Sequence, residues 1–143
     1  FQLNWTTLET MLTNTKLDAW ILVPVAGSNR VFPKEFSRMD KHKENCLTEF
    51  LGSVEWKGFY QKTEDLFDEG NRHLTDDMAR KFVNLYVKKI RTVAAYCSEP
   101  IDLCDGSTHR FSLVFCMSNK SPPAINLAKK LVGETKKRLL KVK

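Results

Sequence analysis

The 143-residue sequence contains no C-x-x-C pair and no apolar run approaching the ~18–20 residues that span a bilayer. Its first residues, FQLNWTTLE, have neither a basic start nor an apolar core, so no signal peptide is read there. No initiator Met precedes Phe1, and the chain is expected to be a processed product or a fragment. The cysteines, at 46, 97, 104 and 116, lack regular zinc-ligand spacing. Cys97, Cys104 and His109 are the nearest approach to a zinc set and have no clear fourth ligand, so no metal is expected. Reduced thiols suit a cytoplasmic compartment, with a Cys97–Cys104 disulfide as the alternative. His42, His73 and His109 sit in polar context without a sequence-level nucleophile beside them, and no hydrolytic constellation stands out.

What is present is the material of a folded domain. Nine Phe, three Trp and three Tyr argue against disorder. The net charge of +6 is a property of the tail. Lys129, Lys130, Lys136, Lys137, Arg138, Lys141 and Lys143 face only Glu134 there, leaving the rest of the chain balanced. Such a helix end can dock on phosphates or acidic surfaces, or it can be a solvated end whose cations complement the macrodipole.

Thr6 and Glu9 have the spacing of a capping box, opening a helix with Leu8, Met11 and Leu12 on its apolar face. Residues 17–25, LDAWILVPV, form an almost unbroken apolar run, as in strands covered on both faces. Asp40 to Leu51 predicts a helix stopped by Gly52, with Cys46, Leu47, Phe50 and Leu51 inward. Residues 53–74 are aromatic but irregular, with Trp56, Phe59, Tyr60, Leu66 and Phe67. Beyond them Thr75, Asp76 and Asp77 introduce the longest helix, to about Tyr96, with Met78, Phe82, Leu85, Tyr86 and Val93 inward. A second strand is predicted over 110–117. After Ser121, Pro122-Pro123 opens a final helix with Ile125, Ala128, Leu131, Val132 and Leu139 inward. Strands separated by helices imply two parallel strands in an α/β unit covering 1–143, with a mostly helical insertion over about 31–97.

The run TLETMLTNTKLDAWILVPVAGSNRVF, then Leu51-Gly52, Trp56 and Phe59-Tyr60, then Leu113-Val114-Phe115, Ser118-Asn119 and Ala124-Ile125, resembles in order the blocks of the three-Cys-motif partner (TcmP) family. Val23-Pro24, Ala26 and Cys116-Met117 depart from that pattern. The resemblance implies a bacterial, cytoplasmic, Rossmann-like and methyltransferase-like protein of unassigned substrate, of which this chain is the C-terminal half. Complete members carry upstream a glycine loop and a D-P-F-G strand end, neither of which occurs in residues 1–143. The resemblance thus implies no cofactor in this chain and S-adenosylmethionine for the complete protein. The enzymatic role is then a group transfer in which this half shapes the acceptor side, acting on or near nucleic acid. The alternative is a non-catalytic interaction module recruiting a protein or nucleic acid.

Parallel strands would open two loops on one sheet edge, where ligands of open α/β sheets bind. Ser28, Asn29 and Arg30 in one, and Ser118, Asn119 and Lys120 in the other, are candidate anion-binding residues, with Arg30 and Asn119 sharing an anion. The plain alternative is that Asn119 and Ser121 cap the last helix while Arg30 pairs with an acid. Trp56 and Tyr60 are candidates for base stacking, with Lys136, Lys137 and Arg138 for phosphates; core packing is the alternative for the aromatics. Two strands alone leave both outer edges open, so the chain is expected to pair with a missing N-terminal half or with itself, and not with a membrane.

Overall fold

The structure, a computed structural model, describes residues 3–14, 16–62 and 72–141, with the side chains of Asn14, Asn29, Leu140 and Lys141 left aside. Leu66 and Phe67 lie outside the described residues. Helices α1 (Trp5–Asn14), α2 (Val25–Val31), α3 (Lys41–Leu51), α4 (Met78–Val93) and α5 (Pro122–Lys141) alternate with strands. The strands are β1 (Asp18–Val23), β2 (Tyr60–Lys62), β3 (Arg72–Leu74), β4 (Tyr96–Cys97), β5 (Ile101–Asp105) and β6 (Thr108–Met117). No described helix is long and apolar enough to cross a membrane.

The parallel, Rossmann-like expectation is overturned. β1 pairs with β6 antiparallel, in a register running from Asp18 opposite Met117 to Val23 opposite Ser112. β4 and β5 pair antiparallel along the other side of β6. β2 and β3 form a separate antiparallel pair within residues 53–74, the irregular stretch of the mostly helical insertion. The apolar run of β1 suggested a strand covered on both faces, but only β6 is: on β1, Trp20 and Leu22 remain exposed on the face away from the main core. Helices cover one face, α5 lies over part of the other, and the chain enters β6 from a tight hairpin, not a crossover helix. That hairpin turns at Gly106, whose φ of 58° is the left-handed conformation two-residue β-turns demand. Asp105-Gly106 marks it in the sequence.

The main core lies on the face of the sheet carrying Ile21, Val23, Val114 and Cys116. Leu8, Leu12, Leu47, Leu51, Trp56, Phe82 and Ile90 close over it from the helices. Phe32 sits among the rings of Trp56, Phe59, Tyr60 and Phe82, all with centroids within 6.4 Å. The opposite face packs Phe115 and Met117 against Ala128 of α5, with Ile125 and Val132 beside them.

Local caps account for the ends of α1 and α3. Asn4, not the expected Thr6, caps α1: its Oδ1 accepts from the Thr7 amide at 2.9 Å. Of the expected α1 face, Leu8 and Leu12 are buried while Met11 is 41% exposed. Asp40 caps α3 by accepting from the Lys43 amide, and Gly52 ends it at φ 61°. Leu131, expected inward on α5, is instead exposed.

The segment expected as a ligand loop, 26–30, belongs to α2. Its composition is a poor helix former, but Val25, Ser28 and Phe32 recur at helical spacing and are all buried. Packing, not propensity, makes the helix.

A candidate binding cleft along a free sheet edge

Among the described residues β1 has a neighbour on one side only. Along its free edge runs an open cleft of about 750 Å3. Leu8 and Met11 of α1 form one wall, and Gly27, Arg30 and Val31 of α2 another. β1 contributes residues from both of its faces, Ala19 and Ile21 from one and Trp20 and Leu22 from the other, as expected where a cleft wraps an unpaired edge. Phe50 and Tyr86 form the floor, their rings stacked at 4.6 Å between centroids and 13° between planes. Burial pushes the Tyr86 phenol up, so it stays neutral at ordinary pH.

The cleft is apolar with one exception. Arg30 is the only charged side chain lining it, and it has no ion pair or side-chain hydrogen bond among the described residues. Trp20 and Leu22 are 38% and 51% exposed, unusual for large apolar side chains on a strand. Sheet edges in folded proteins are generally short, charged or covered; within the described residues this one is uncovered and its one charge, Asp18, stands at its end.

The two expected ligand segments do not form one site. Because β1 and β6 are antiparallel, the chain leaves them at opposite ends of the pair, which removes the shared edge on which the Arg30–Asn119 anion site depended. Ser118 is tied to the start of β1: its Oγ accepts from the Leu17 amide at 2.7 Å, and its own amide donates to the Leu17 carbonyl. Asn119 accepts from the Ser121 amide and Ser121 accepts from the Ala124 amide, an arrangement that caps α5. Lys120 is exposed. Ser28 is fully buried, its hydroxyl donating to the Val25 carbonyl at 2.6 Å. Asn29 lies in α2 with its side chain outside the described part, and of the other five only Arg30 lines the cleft.

Trp56 and Tyr60 are core residues. Trp56 is fully buried and donates Nε1 to the Thr48 hydroxyl, and Tyr60 donates its hydroxyl to the Pro33 carbonyl. Neither presents a ring face on which a base could stack. Lys136 and Arg138 are exposed on α5, and Lys137 pairs with Glu134 at 2.8 Å.

Sequence reasoning missed a cluster on the β5–β6 hairpin. Asp102 and Ser112 are cross-strand partners, and the Ser112 hydroxyl donates to Asp102 Oδ1 at 2.8 Å. His109 Nε2 lies 2.9 Å from that hydroxyl and 3.1 Å from the same carboxylate oxygen. The residue types are those of a hydrolase, but the wiring is not. A relay needs the carboxylate on one imidazole nitrogen and the hydroxyl on the other. Here one nitrogen meets both, and Ser112 is fully buried. The three residues clamp the hairpin. Among the described residues no group of three His, Cys, Asp or Glu could hold a metal ion, and all four cysteines are free thiols.

No family model, curated protein or solved structure matches the chain.

Proposed function

We propose that this chain is a non-catalytic interaction module of the cytoplasm, and that its working surface is the cleft along β1. The observation that carries the reading is the coincidence, among the described residues, of an unpaired strand edge with an apolar cleft and a single unpaired cation. An extended segment laid along β1 would gain main-chain hydrogen bonds from the edge, bury alternate side chains against Leu22 and Met11, and place an acid on Arg30. The free thiols fit a reducing compartment.

The test uses a synthetic hexapeptide of alternating valine and threonine with a terminal glutamate, added to the dilute full chain. Amide hydrogen exchange across residues 18–23 should slow, and Arg30→Ala should weaken the effect. Exchange unchanged at millimolar peptide would remove the reading. The transferase role implied by the TcmP resemblance is a separate proposal about a larger protein. For the 143-residue chain we expect no heat of S-adenosylmethionine binding in calorimetry, because the sequence holds no glycine loop for a backbone to approach a nucleotide. Specific micromolar binding would return the transferase role to this half.

A further inference from the structure

We infer that the segment occupying the cleft is β1 of a second copy of this chain, paired antiparallel across a two-fold axis. The inference rests on the interaction-module reading above and names its partner.

Three observations converge on a second copy. The first is backbone complementarity: β1 is a six-residue strand with one edge paired and, among the described residues, the other open, so two such edges can complete one another's ladders. The second is side-chain complementarity. The residues β1 offers to an edge partner, Trp20 and Leu22, are large, apolar and exposed, which is the chemistry the cleft beside the same strand is lined to receive. A two-fold interface requires such self-matching, since the same patch must serve as both knob and hole.

The third observation is charge, and it fixes the direction. Asp18 opens β1, while Arg30 lines the cleft from α2, the helix that begins at Val25 just past the other end of the strand. Neither has an ion-pair partner among the described residues. Antiparallel pairing of β1 with its copy carries Asp18 of one chain to the Leu22 end of the other, the end from which α2 and its Arg30 continue. The symmetry repeats the contact, so one geometry satisfies both acids and both cations. A parallel pairing would leave Asp18 beside its own counterpart, a like-charge contact. Joined in this way, the two four-stranded sheets become one continuous sheet with neither β1 edge exposed.

The test is sedimentation equilibrium of the full chain over a dilution series, with exchange rates for residues 18–23 read in parallel. Wild type should be a dimer at tens of micromolar, with β1 amides that lose protection on dilution. Leu22→Lys places a charge on a half-exposed edge position without opening the core, and should weaken association by about tenfold or more. Asp18→Lys and Arg30→Glu should each be monomeric alone, since each sets like charges together twice. Mixed in equal amounts they should dimerise again, because the mixed pair places Lys opposite Glu and Asp opposite Arg. Circular dichroism of each variant shows that it is folded before mixing.

A monomeric wild type, a dimer indifferent to Leu22→Lys, or single variants that fail to recover on mixing would each overturn the inference. The hexapeptide separates the two levels. A monomer whose β1 is protected by peptide loses only the second copy as occupant, and one that ignores the peptide loses the module reading as well.

Discussion

At Gly52 a single hydrogen atom in place of a side chain holds two elements together. The residue ends α3 at φ 61°, and a Cβ built there would fall 2.2 Å from Cγ of Trp5. Left-handed backbone alone disfavours an L side chain, and here the space is filled by a buried indole that also meets Tyr86 edge-on. Gly52→Ala is therefore expected to cost about 2–4 kcal/mol, as strain plus displacement of a core aromatic. Urea unfolding should show a lower midpoint with an unchanged slope. A loss within a few tenths of a kcal/mol would mean that Trp5 is not packed against the α3 terminus. The stop itself was legible in the sequence as a glycine after an apolar pair. The reason it must be glycine was not, because Trp5 lies far away along the chain.

At the scale of elements, the sequence placed the centres of β1 and β6 correctly and their direction wrongly. Apolar residues on both faces of β6 record that both faces are covered, whereas on β1 Trp20 and Leu22 are apolar and exposed. Neither pattern records from which end the chain arrived. β4 and β5 escaped notice because they are short and divided at Ser98–Pro100, where Pro100 and the Asp105-Gly106 pair look like a loop. Ser98 closes that break: its amide donates to the Phe115 carbonyl at 2.8 Å and its hydroxyl accepts from the Phe115 amide at 2.9 Å. A side chain thus supplies the acceptor that a regular ladder would take from backbone. With Ser98 1% exposed, Ser98→Ala leaves the Phe115 amide buried without that partner, a loss of about 1–3 kcal/mol. Ser98→Thr retains the hydroxyl and should cost less. Equal losses for the two variants would show that space, not the hydrogen bond, governs the position. The cleft was legible only in part: Arg30 was singled out, but for a loop shared with Asn119. What assembles the cleft is an unpaired edge, a tertiary fact that leaves no mark on local pattern.

For the whole molecule, the buried acids with the largest shifts are thiols and phenols, and they set how stability responds to alkali. Burial pushes the Cys116 thiol from 9.0 to about 12 and the Cys97 thiol from 9.0 to about 11. It also pushes the Tyr60 phenol from 10.0 to about 12, and raises the Tyr86 phenol. Each is neutral in the folded state at a pH where the unfolded chain has already released its proton. The unfolded state therefore binds fewer protons above pH 9, and stability falls as pH rises. The contribution is intact below about pH 9, the ordinary thiol value, and is lost progressively towards pH 12 as the folded groups finally ionise. Urea midpoints measured at pH 8, 9.5 and 11 should be lowest at pH 11, with little change between pH 7 and 8. Surface ion pairs are screened by salt, whereas the buried thiols and phenols are not, so the loss should persist at high ionic strength. Cys116→Ala isolates the cause: it lowers stability at every pH by leaving a small cavity, and it removes one ionising group, so its midpoint should fall less steeply between pH 9.5 and 11 than that of wild type. Parallel curves for the two proteins would show that the alkaline loss comes from groups other than the buried thiol.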